Sequence, residues 1–385
     1  MRNLINVQIP DPHFFSLKEK LWSIQIDEND HILSLNPMQS EISEIGEDWA
    51  GDWLSPRGID LQINGGLGLA FTDLDFKQLP KLNEFLNLLW RDGIEAISPT
   101  LVSCSIESLR RSLAVIQLAR KETCINRSKL LGAHLEGPFL SMNYQGAHNH
   151  NHFCLPSLSA LDKRINGFER EIALVTMAPE LPGSSEVIKR LNDLGILVSL
   201  GHSSANSNIC RSSFDLGISM ITHAFNAMPG LHHRDPGPVG EAISHGQISM
   251  GLIADGIHVH PNMVIILQKL ARDSLFLVSD ALSPYGLEAK QYQWDQRLVF
   301  IDEGVCRLDD GTLAGTTLSL LEGCKRLAKW TKDPSFAIWA ATVSPRHVLE
   351  KGKGIKEFFV GHSLEKFLRW NLNFDSYSLN WKSAK

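Results

Sequence analysis

The residue types with the clearest capacity for chemistry are one glutamate, two histidines and one aspartate at the ends of short apolar runs. They are Glu136, His202, His223 and Asp280. Two imidazoles and one carboxylate form a ligand set that holds a divalent metal ion with one position left open. Such an ion lowers the pKa of its water towards about 7, and a positioned acid or base adds roughly 10²–10⁴-fold in rate. With Asp280 as the general base, the pattern indicates metal-dependent hydrolysis of an amide.

The stretch GAHLEGPFL, residues 132–140, shows how such a side chain is aimed. Successive side chains of a strand point to opposite faces, so His134 and Glu136 share one face. Gly137-Pro138 cannot continue a central strand because proline has no N–H donor, and this puts Glu136 at the carboxyl end of the strand. Parallel α/β folds build their sites at that end.

Each of these residues also has an ordinary structural explanation when it is taken singly. Glu136 could be a solvated acid at a strand terminus, and His202 a hydrogen-bonded neighbour of a helix cap. Asp280 could be the N-cap of the following helix, a role that does not exclude catalysis. The prediction of a site therefore depends on all of them occurring together at corresponding strand ends.

Composition narrows the class of protein. The chain has 385 residues, 43% of them hydrophobic, and a net charge of -6 that leaves no basic stripe for nucleic acid. The six cysteines form no CxxC pair, as expected for reduced thiols. No segment has the pattern of a signal peptide or the roughly 18 apolar residues of a membrane span. We expect a cytoplasmic protein with no membrane or nucleic-acid partner.

Short apolar runs alternate with helical segments from residue 58 onwards. Eight runs read as strands: 58–64, 93–100, 129–136, 172–178, 196–202, 218–224, 247–255 and 275–281. Helices are predicted near 80–91, 106–120, 184–194, 204–216 and 261–271, with two more near 317–331 and 335–342. Eight βα units over roughly 230 residues predict a (β/α)8 barrel, which brings the carboxyl ends of all eight strands to one rim.

An ordered set of motifs resembles one known family. The motifs are GIDLQINGG, HLEGPFL, GAHN, GHSSA, THAFNAM, ADGIHVHP, SDA and LAGTTLSL. In this order they are similar to the N-acetylglucosamine-6-phosphate deacetylases of the amidohydrolase superfamily. The resemblance covers about 56–348 and implies release of acetate from an amino sugar phosphate, a small-molecule substrate. It also implies a catalytic barrel over 56–348 and a small β domain built from both chain ends, 1–55 plus 349–385.

The resemblance assigns roles residue by residue. Glu136, His202 and His223 match the metal ligands, Asp280 the catalytic acid/base, and His148 a histidine that helps polarise the acetamide carbonyl. The substrate contacts it implies are Ala147, Asn226, Ala227, Arg234, His258, Leu313, Ala314 and Gly315. In the family the arginine reaches the phosphate across a dimer interface, so Arg234 implies a homodimer. The neighbouring His232 and His233 are possible substitutes for it.

The first strand indicates how many metal ions to expect. Many amidohydrolases carry His-x-His there, and these imidazoles help hold a second ion. This chain has Gln62 and Asn64 instead, and neutral amides bind transition metals poorly. We therefore expect one divalent ion per subunit; the nitrogen-rich ligand set favours Zn²⁺, although Fe²⁺ or another divalent ion would fit.

Two alternatives to this activity are open. One is an amidohydrolase of the same barrel that acts on another N-acyl sugar or a cyclic amide. The other is a sugar-phosphate-binding relative without catalysis, which the intact set of Glu136, His202, His223 and Asp280 argues against. The carboxyl-terminal stretch KGKGIKEFFVGHSLEKFLRW departs from the family's usual ending, so whether it completes the small β domain is left open.

Overall fold

The chain begins with a four-stranded sheet. The computed structural model describes residues 1–13, 20–38, 45–122, 124–294, 297–350 and 352–385. The first strands are β1 (Arg2–Val7), β2 (Trp22–Ile26), β3 (Ile32–Pro37), β4 (Glu47–Asp48) and β5 (Trp53–Pro56). The sheet order is β3-β2-β1-β4, with β1, β2 and β3 antiparallel. Buried side chains of Leu4, Ile24 and Ile32 alternate with outward-facing residues and form its core.

A parallel barrel follows. Its first strand is β6 (Gly58–Ile63), and a two-stranded hairpin, β7 (Gly65–Gly66) and β8 (Leu69–Ala70), comes next. The other barrel strands are β9 (Ile94–Val102), β10 (Lys129–Leu130), β11 (Ala133–Glu136), β12 (Ile172–Met177), β13 (Leu197–Leu200), β14 (Met220–Ile221), β15 (Ser249–Ile253) and β16 (Leu275–Val278). Each pairs in parallel with its neighbour, which confirms the predicted barrel.

Two details of the barrel differ from the prediction. The third predicted strand, 129–136, is two strands, because Gly132 adopts a φ of +144° between them. β10 and β11 pair with successive stretches of β9. The seam between β16 and β6 is closed by single hydrogen bonds: the Asp280 N–H donates to the Gln62 carbonyl at 2.9 Å, and the Asn64 N–H to the Ala281 carbonyl at 2.7 Å.

Helices cover the outside of the barrel. They are α1 (Leu79–Arg91), α2 (Ile106–Arg120), α3 (Leu158–Ile165), α4 (Ser184–Asp193), α5 (Ser207–Leu216), α6 (Gly237–His245), α7 (Pro261–Ala271), α8 (Leu320–Thr331), α9 (Pro334–Thr342) and α10 (Ser344–Leu349). The seven predicted helices are confirmed. The one predicted from 204 begins at Ser207, because the side chain of Asn206 caps it by accepting the Ile209 N–H. The sequence did not indicate α3, α6 or α10.

An antiparallel sheet that the sequence did not predict lies between β16 and α8. Its strands are β17 (Gln291–Trp294), β18 (Arg297–Asp302), β19 (Val305–Leu308) and β20 (Leu313–Thr316). The Thr316 N–H donates to the Asp280 carbonyl at 3.0 Å, so the sheet is fastened to the rim of the barrel. Arg297 Nη1 donates to the Ala147 carbonyl at 2.7 Å and fastens it on the opposite side.

The carboxyl-terminal segment returns to the strand that precedes the barrel. β21 (Phe367–Asn373) and β22 (Ser378–Ser383) form an antiparallel pair, and β21 pairs with β5. Trp370 is fully buried there and donates its indole N–H to Ser55 Oγ at 2.8 Å. The atypical ending therefore joins β5 in one sheet. Among the described residues, no helix has the length and apolar character that a bilayer span requires.

Candidate active site

Three predicted metal ligands converge at the carboxyl end of the barrel. Glu136 is the last residue of β11, and His202 and His223 follow β13 and β14. Glu136 Oε1 lies 3.3 Å from His202 Nε2 and 3.1 Å from His223 Nε2, and the two Nε2 atoms are 3.1 Å apart. Ligand atoms that surround a tetrahedral ion at about 2.0–2.1 Å lie roughly 3.3 Å from one another. The observed spacing of the three atoms fits such an ion.

The tautomer of His202 supports the same interpretation. His202 Nδ1 lies 2.9 Å from the Tyr144 carbonyl oxygen, and because a carbonyl can only accept, Nδ1 carries the proton. In the neutral imidazole, Nε2 then presents a lone pair to the Glu136 carboxylate. Two acceptors face each other at 3.3 Å, and a cation between them removes their repulsion.

His148 lies beside this cluster with the opposite tautomer. Its Nδ1 accepts the backbone N–H of Ser103 at 3.4 Å, so the neutral ring carries its proton on Nε2, 3.7 Å from Glu136 Oε2. Burial and the nearby His202 lower the pKa of His148 to about 4. The ligand atoms of Glu136, His148 and His202 lie within 4.8 Å of one another, so His148 is geometrically close enough to be a ligand. Its protonated Nε2 makes it a hydrogen-bond donor instead.

Asp280 faces the cluster from the far side of the pocket. Its Oδ1 accepts from Asn64 Nδ2 at 2.7 Å and from Gln62 Nε2 at 3.3 Å. Gln62 Nε2 also donates to Glu136 Oε1 at 3.1 Å, so one amide connects both carboxylates. Burial and the charge of Glu136 raise the pKa of Asp280. The amides of β6 thus act as donors that hold the acids in place.

The backbone turns sharply at three of these residues. His202, His223 and Asp280 have φ values of 48°, 30° and 48°, in the left-handed region that non-glycine residues rarely adopt. Such conformations cost of order 1–3 kcal/mol and persist only where surrounding contacts hold them. Here they swing side chains inward at the strand ends, where a regular strand would continue past the pocket.

A cavity of about 450 Å³ opens above these residues. Its walls include most of the substrate contacts implied by the resemblance: Ala147, Asn226, Ala227, His258, Leu313 and Ala314. Asp255 Oδ2 lies 2.6 Å from His258 Nδ1 and orients that ring. The amide nitrogen of Asn226 donates to the carbonyls of His223 and Ala224 at 3.2 Å each, which leaves its oxygen for a ligand.

Two implied contacts lie outside this cavity. Arg234, with His232 and His233, is exposed on the loop before α6 and does not line the cavity. Gly315 lies behind the wall with a φ of +139°, and a Cβ there would stand 2.5 Å from the Asp280 carbonyl oxygen. Glycine is therefore required at 315 for the close approach of β20 to the strand end that carries Asp280.

Sequence reasoning missed several residues of the site. Trp294, on β17, and Thr312, in the turn before β20, line the cavity, and Tyr144 contributes through its backbone carbonyl. Ser103 fixes His148 from the end of β9. No local pattern marks these residues, because their position depends on how distant segments pack. The GAHN motif indicates only the loop in which Tyr144 lies.

Comparison with known proteins supplies the family. No protein-family model matches the chain. The chain is 33% identical over 332 residues to N-acetylglucosamine-6-phosphate deacetylase of Caenorhabditis elegans, covering 82% of this chain and 79% of that protein. It is 30% identical over 319 residues to N-acetylgalactosamine-6-phosphate deacetylase of Escherichia coli O157:H7, covering 83% and 82%.

Solved structures agree with these relatives. N-acetylglucosamine-6-phosphate deacetylase of Thermotoga maritima superposes with a TM-score of 0.77 at 26% identity, covering 99% of this chain and 98% of that one. The Pasteurella multocida enzyme of the same name shares the fold, with a TM-score of 0.79 at 24% identity over 99% of both chains. An enamidase of the amidohydrolase superfamily shares the fold at a TM-score of 0.54 and 11% identity, covering 97% of this chain and 88% of that one. The chain therefore belongs to the N-acetylglucosamine-6-phosphate deacetylase family.

Proposed function

We propose that this protein hydrolyses the acetamide of N-acetylglucosamine 6-phosphate, releasing acetate and glucosamine 6-phosphate. The observation that carries the proposal is that Glu136, His202 and His223 converge on one cavity with two further groups. These are a neutral His148 that carries its proton on Nε2, and an acceptor, Asp280. A binding protein for a sugar phosphate needs no such set. The family membership agrees with this chemistry.

Glu136, His202 and His223 would hold one divalent ion. When bound, the ion supplies Lewis-acid polarisation of the acetamide and acidification of water. Two nitrogen ligands and one oxygen favour Zn²⁺, and Fe²⁺ or another divalent ion also suits this set. The position where a second ion would need ligands is occupied by the amide of Gln62, which donates to both Glu136 and Asp280. One ion per chain is therefore the proposal.

Asp280 is the proposed general base and acid. Asn64 and Gln62 occupy its Oδ1, so Oδ2 is the oxygen that takes a proton from the attacking water. The same oxygen then returns the proton to the departing amine, which would otherwise be a poor leaving group. Burial and the neighbouring Glu136 charge raise the pKa of Asp280, and this favours uptake of the proton from water.

His148 is the proposed electrophile for the carbonyl oxygen. Its Nδ1 is occupied by the Ser103 N–H, so Nε2–H points to the cavity as a donor. A donor aimed at the oxygen where negative charge develops stabilises the transition state. The pKa of about 4 means that this donor is a neutral imidazole at neutral pH and does not exchange roles with Asp280.

The phosphate is proposed to meet Arg234 of a second subunit in a homodimer. No lysine or arginine lines the cavity among the described residues, although the substrate carries a phosphate dianion. Arg234 is exposed, with His232 and His233 beside it, and is available to a neighbouring chain. Asn226, Ala227, His258, Leu313 and Ala314 would contact the sugar from the walls of the same chain's cavity.

The epimer N-acetylgalactosamine 6-phosphate is a second candidate substrate, because one relative at 30% identity carries that name. Acetate release from both epimers and from unphosphorylated N-acetylglucosamine separates the possibilities. We expect the highest kcat/KM with N-acetylglucosamine 6-phosphate and a large loss without the phosphate. Equal turnover of the unphosphorylated sugar would contradict a phosphate-dependent enzyme, and no acetate from any of the three would contradict the activity.

A further inference from the structure

We propose that Glu180, which lies outside the cavity, is a positioning residue that holds His202 in the geometry needed for metal binding. The inference rests on the proposed function, because it requires that His202 is a metal ligand. Glu180 does not line the cavity and touches none of the ligand atoms. Its effect would pass through the turn that begins at His202.

Glu180 receives three hydrogen bonds from the two residues after His202. Ser203 Oγ donates to Glu180 Oε2 at 2.6 Å. The backbone N–H and the hydroxyl of Ser204 both donate to Glu180 Oε1, at 2.7 and 3.0 Å. Ser203 is fully buried, and its oxygen in turn accepts the Ala205 N–H at 3.0 Å. One carboxylate thereby fixes the turn 202–205.

The turn needs such a clamp because its first residue is strained. His202 has a φ of 48°, and Gly201 before it is closely surrounded: a Cβ there would stand 2.7 Å from Thr176 and 2.9 Å from Thr222. Gly201 is therefore packed against these two threonines, which restricts movement of the turn in their direction. Without Glu180, the Ser204 N–H and the buried Ser203 hydroxyl would lose their acceptor. Because unpaired buried donors cost free energy, we expect the strained turn that carries His202 to change conformation.

The other contacts of His202 do not replace this clamp. Its carbonyl accepts the Ser141 N–H at 2.8 Å, and its Nδ1 donates to Tyr144 at 2.9 Å. Both contacts come from the long loop after β11. Glu180 instead lies in the turn that follows β12, the strand paired with β13, so it ties the turn of His202 to the end of the neighbouring barrel strand. An outer-shell partner that sets the orientation of a ligand typically changes metal affinity about 10–100-fold when it is removed.

Glu171 provides a matched control at the other end of β12. It lies just before that strand, is partly buried like Glu180, and accepts from Gln117 Nε2 at 3.3 Å and from Arg120. It contacts the helical layer at the amino-terminal end of the barrel, away from the cavity. Removing it costs side-chain hydrogen bonds and an ion pair with Arg120, without touching the turn of His202.

The test measures Zn²⁺ affinity by competition with a chelator, and the visible absorption of the Co²⁺-loaded protein, in full-length variants. We expect Glu180→Ala to weaken Zn²⁺ binding about 10–100-fold and to alter the Co²⁺ spectrum. Glu180→Gln retains an acceptor for the Ser204 N–H and should show an intermediate loss. Glu171→Ala and Glu171→Gln should bind Zn²⁺ like the parent protein, even where their thermal stability falls.

The outcomes separate this inference from the function it rests on. Parent-like Zn²⁺ affinity in both Glu180 variants, with the parent binding tightly, would overturn only the role of Glu180. Equal losses in the Glu180 and Glu171 variants would overturn it as well, since the effect would then be general. If the parent itself does not bind Zn²⁺, the metal site and the inference fail together. Should Glu180→Ala not fold, the comparison of Glu180→Gln with Glu171→Gln decides.

Discussion

The two ends of the barrel treat buried charge in opposite ways. At the amino-terminal end, Arg346 donates to the carbonyls of Arg57 and Thr342 and pairs with Glu95. The Arg57 guanidinium donates to the backbone carbonyls of Glu365 and Trp90, and its Cζ lies 4.0 Å from the centre of the Trp90 ring. Each cation there has several acceptors around it. That end of the barrel is closed by satisfied contacts.

The carboxyl end contains acids and imidazoles whose hydrogen-bonding groups are only partly paired with one another. The carboxylate of Glu136 and the lone pair of His202 face each other at 3.3 Å, and the Nδ1 of the buried His223 has no hydrogen-bond partner among the described residues. The backbone of His202, His223 and Asp280 there is in the left-handed region. The difference shows that the barrel separates stability from chemistry. Contacts at the amino-terminal end stabilise the fold, whereas polar groups at the carboxyl end are left able to bind a ligand.

The largest expected effect comes from the acid at the carboxyl end. Replacing Asp280→Asn keeps the size of the side chain and its contact with Asn64 but removes the proton acceptor. We expect kcat to fall roughly 10²–10⁴-fold while the metal content is unchanged. Acetate release and elemental analysis on the same sample check this. Turnover close to that of the parent would remove Asp280 from the mechanism.

A change at the amino-terminal end should affect stability instead. Arg346→Met leaves Glu95 without its buried partner, and breaking such a pair costs about 3–5 kcal/mol of the free energy of unfolding. Denaturant unfolding measures the loss, and Zn²⁺ affinity of the folded variant should equal that of the parent. Arg346→Met with Glu95→Gln is the matched control and should recover part of the stability. A loss of Zn²⁺ affinity at unchanged stability would show that the two ends are not separate.

The smallest expected effect concerns Asp60, on β6 between the two ends. Its Oδ1 accepts the backbone N–H groups of Gln62 and Ser279 at 3.2 Å each, and burial raises its pKa from 3.8 to about 7. The folded protein therefore binds this proton more tightly than the unfolded chain does. The resulting stabilisation is complete below pH 3.8 and is lost as the pH rises to about 7.

Asp60→Asn should remove this dependence on pH. Relative to the variant, the parent should lose roughly 2 kcal/mol of unfolding free energy between about pH 5 and pH 7.5. Denaturant unfolding of both proteins at the two pH values gives the difference. A constant difference between parent and variant would mean that Asp60 titrates in its ordinary range.

The sequence predicted what strand periodicity and local motifs determine. The eight barrel strands and their helices follow from alternating apolar runs, and the strand ends place Glu136, His202, His223 and Asp280 on one rim. The break at Gly132 was not visible, because the apolar run continues through it in the sequence.

The missed parts depend on packing between distant segments. The strands of 291–316 are short and half exposed, so their pattern resembles that of a loop. Because these strands were not predicted, Trp294 was not predicted to line the cavity. The hydrogen bonds that set the tautomers of His148 and His202 come from Ser103 and from the Tyr144 carbonyl. A backbone carbonyl leaves no mark in a sequence, so these features required the structure.

The most direct test of the whole account is the metal content of the purified protein, measured by elemental analysis together with acetate release before and after chelation. The account predicts one divalent ion per chain, loss of activity with loss of the ion, and recovery when Zn²⁺ is restored. It also predicts that His202→Ala and His223→Ala each lose the ion. Full activity in protein that contains no metal would contradict it.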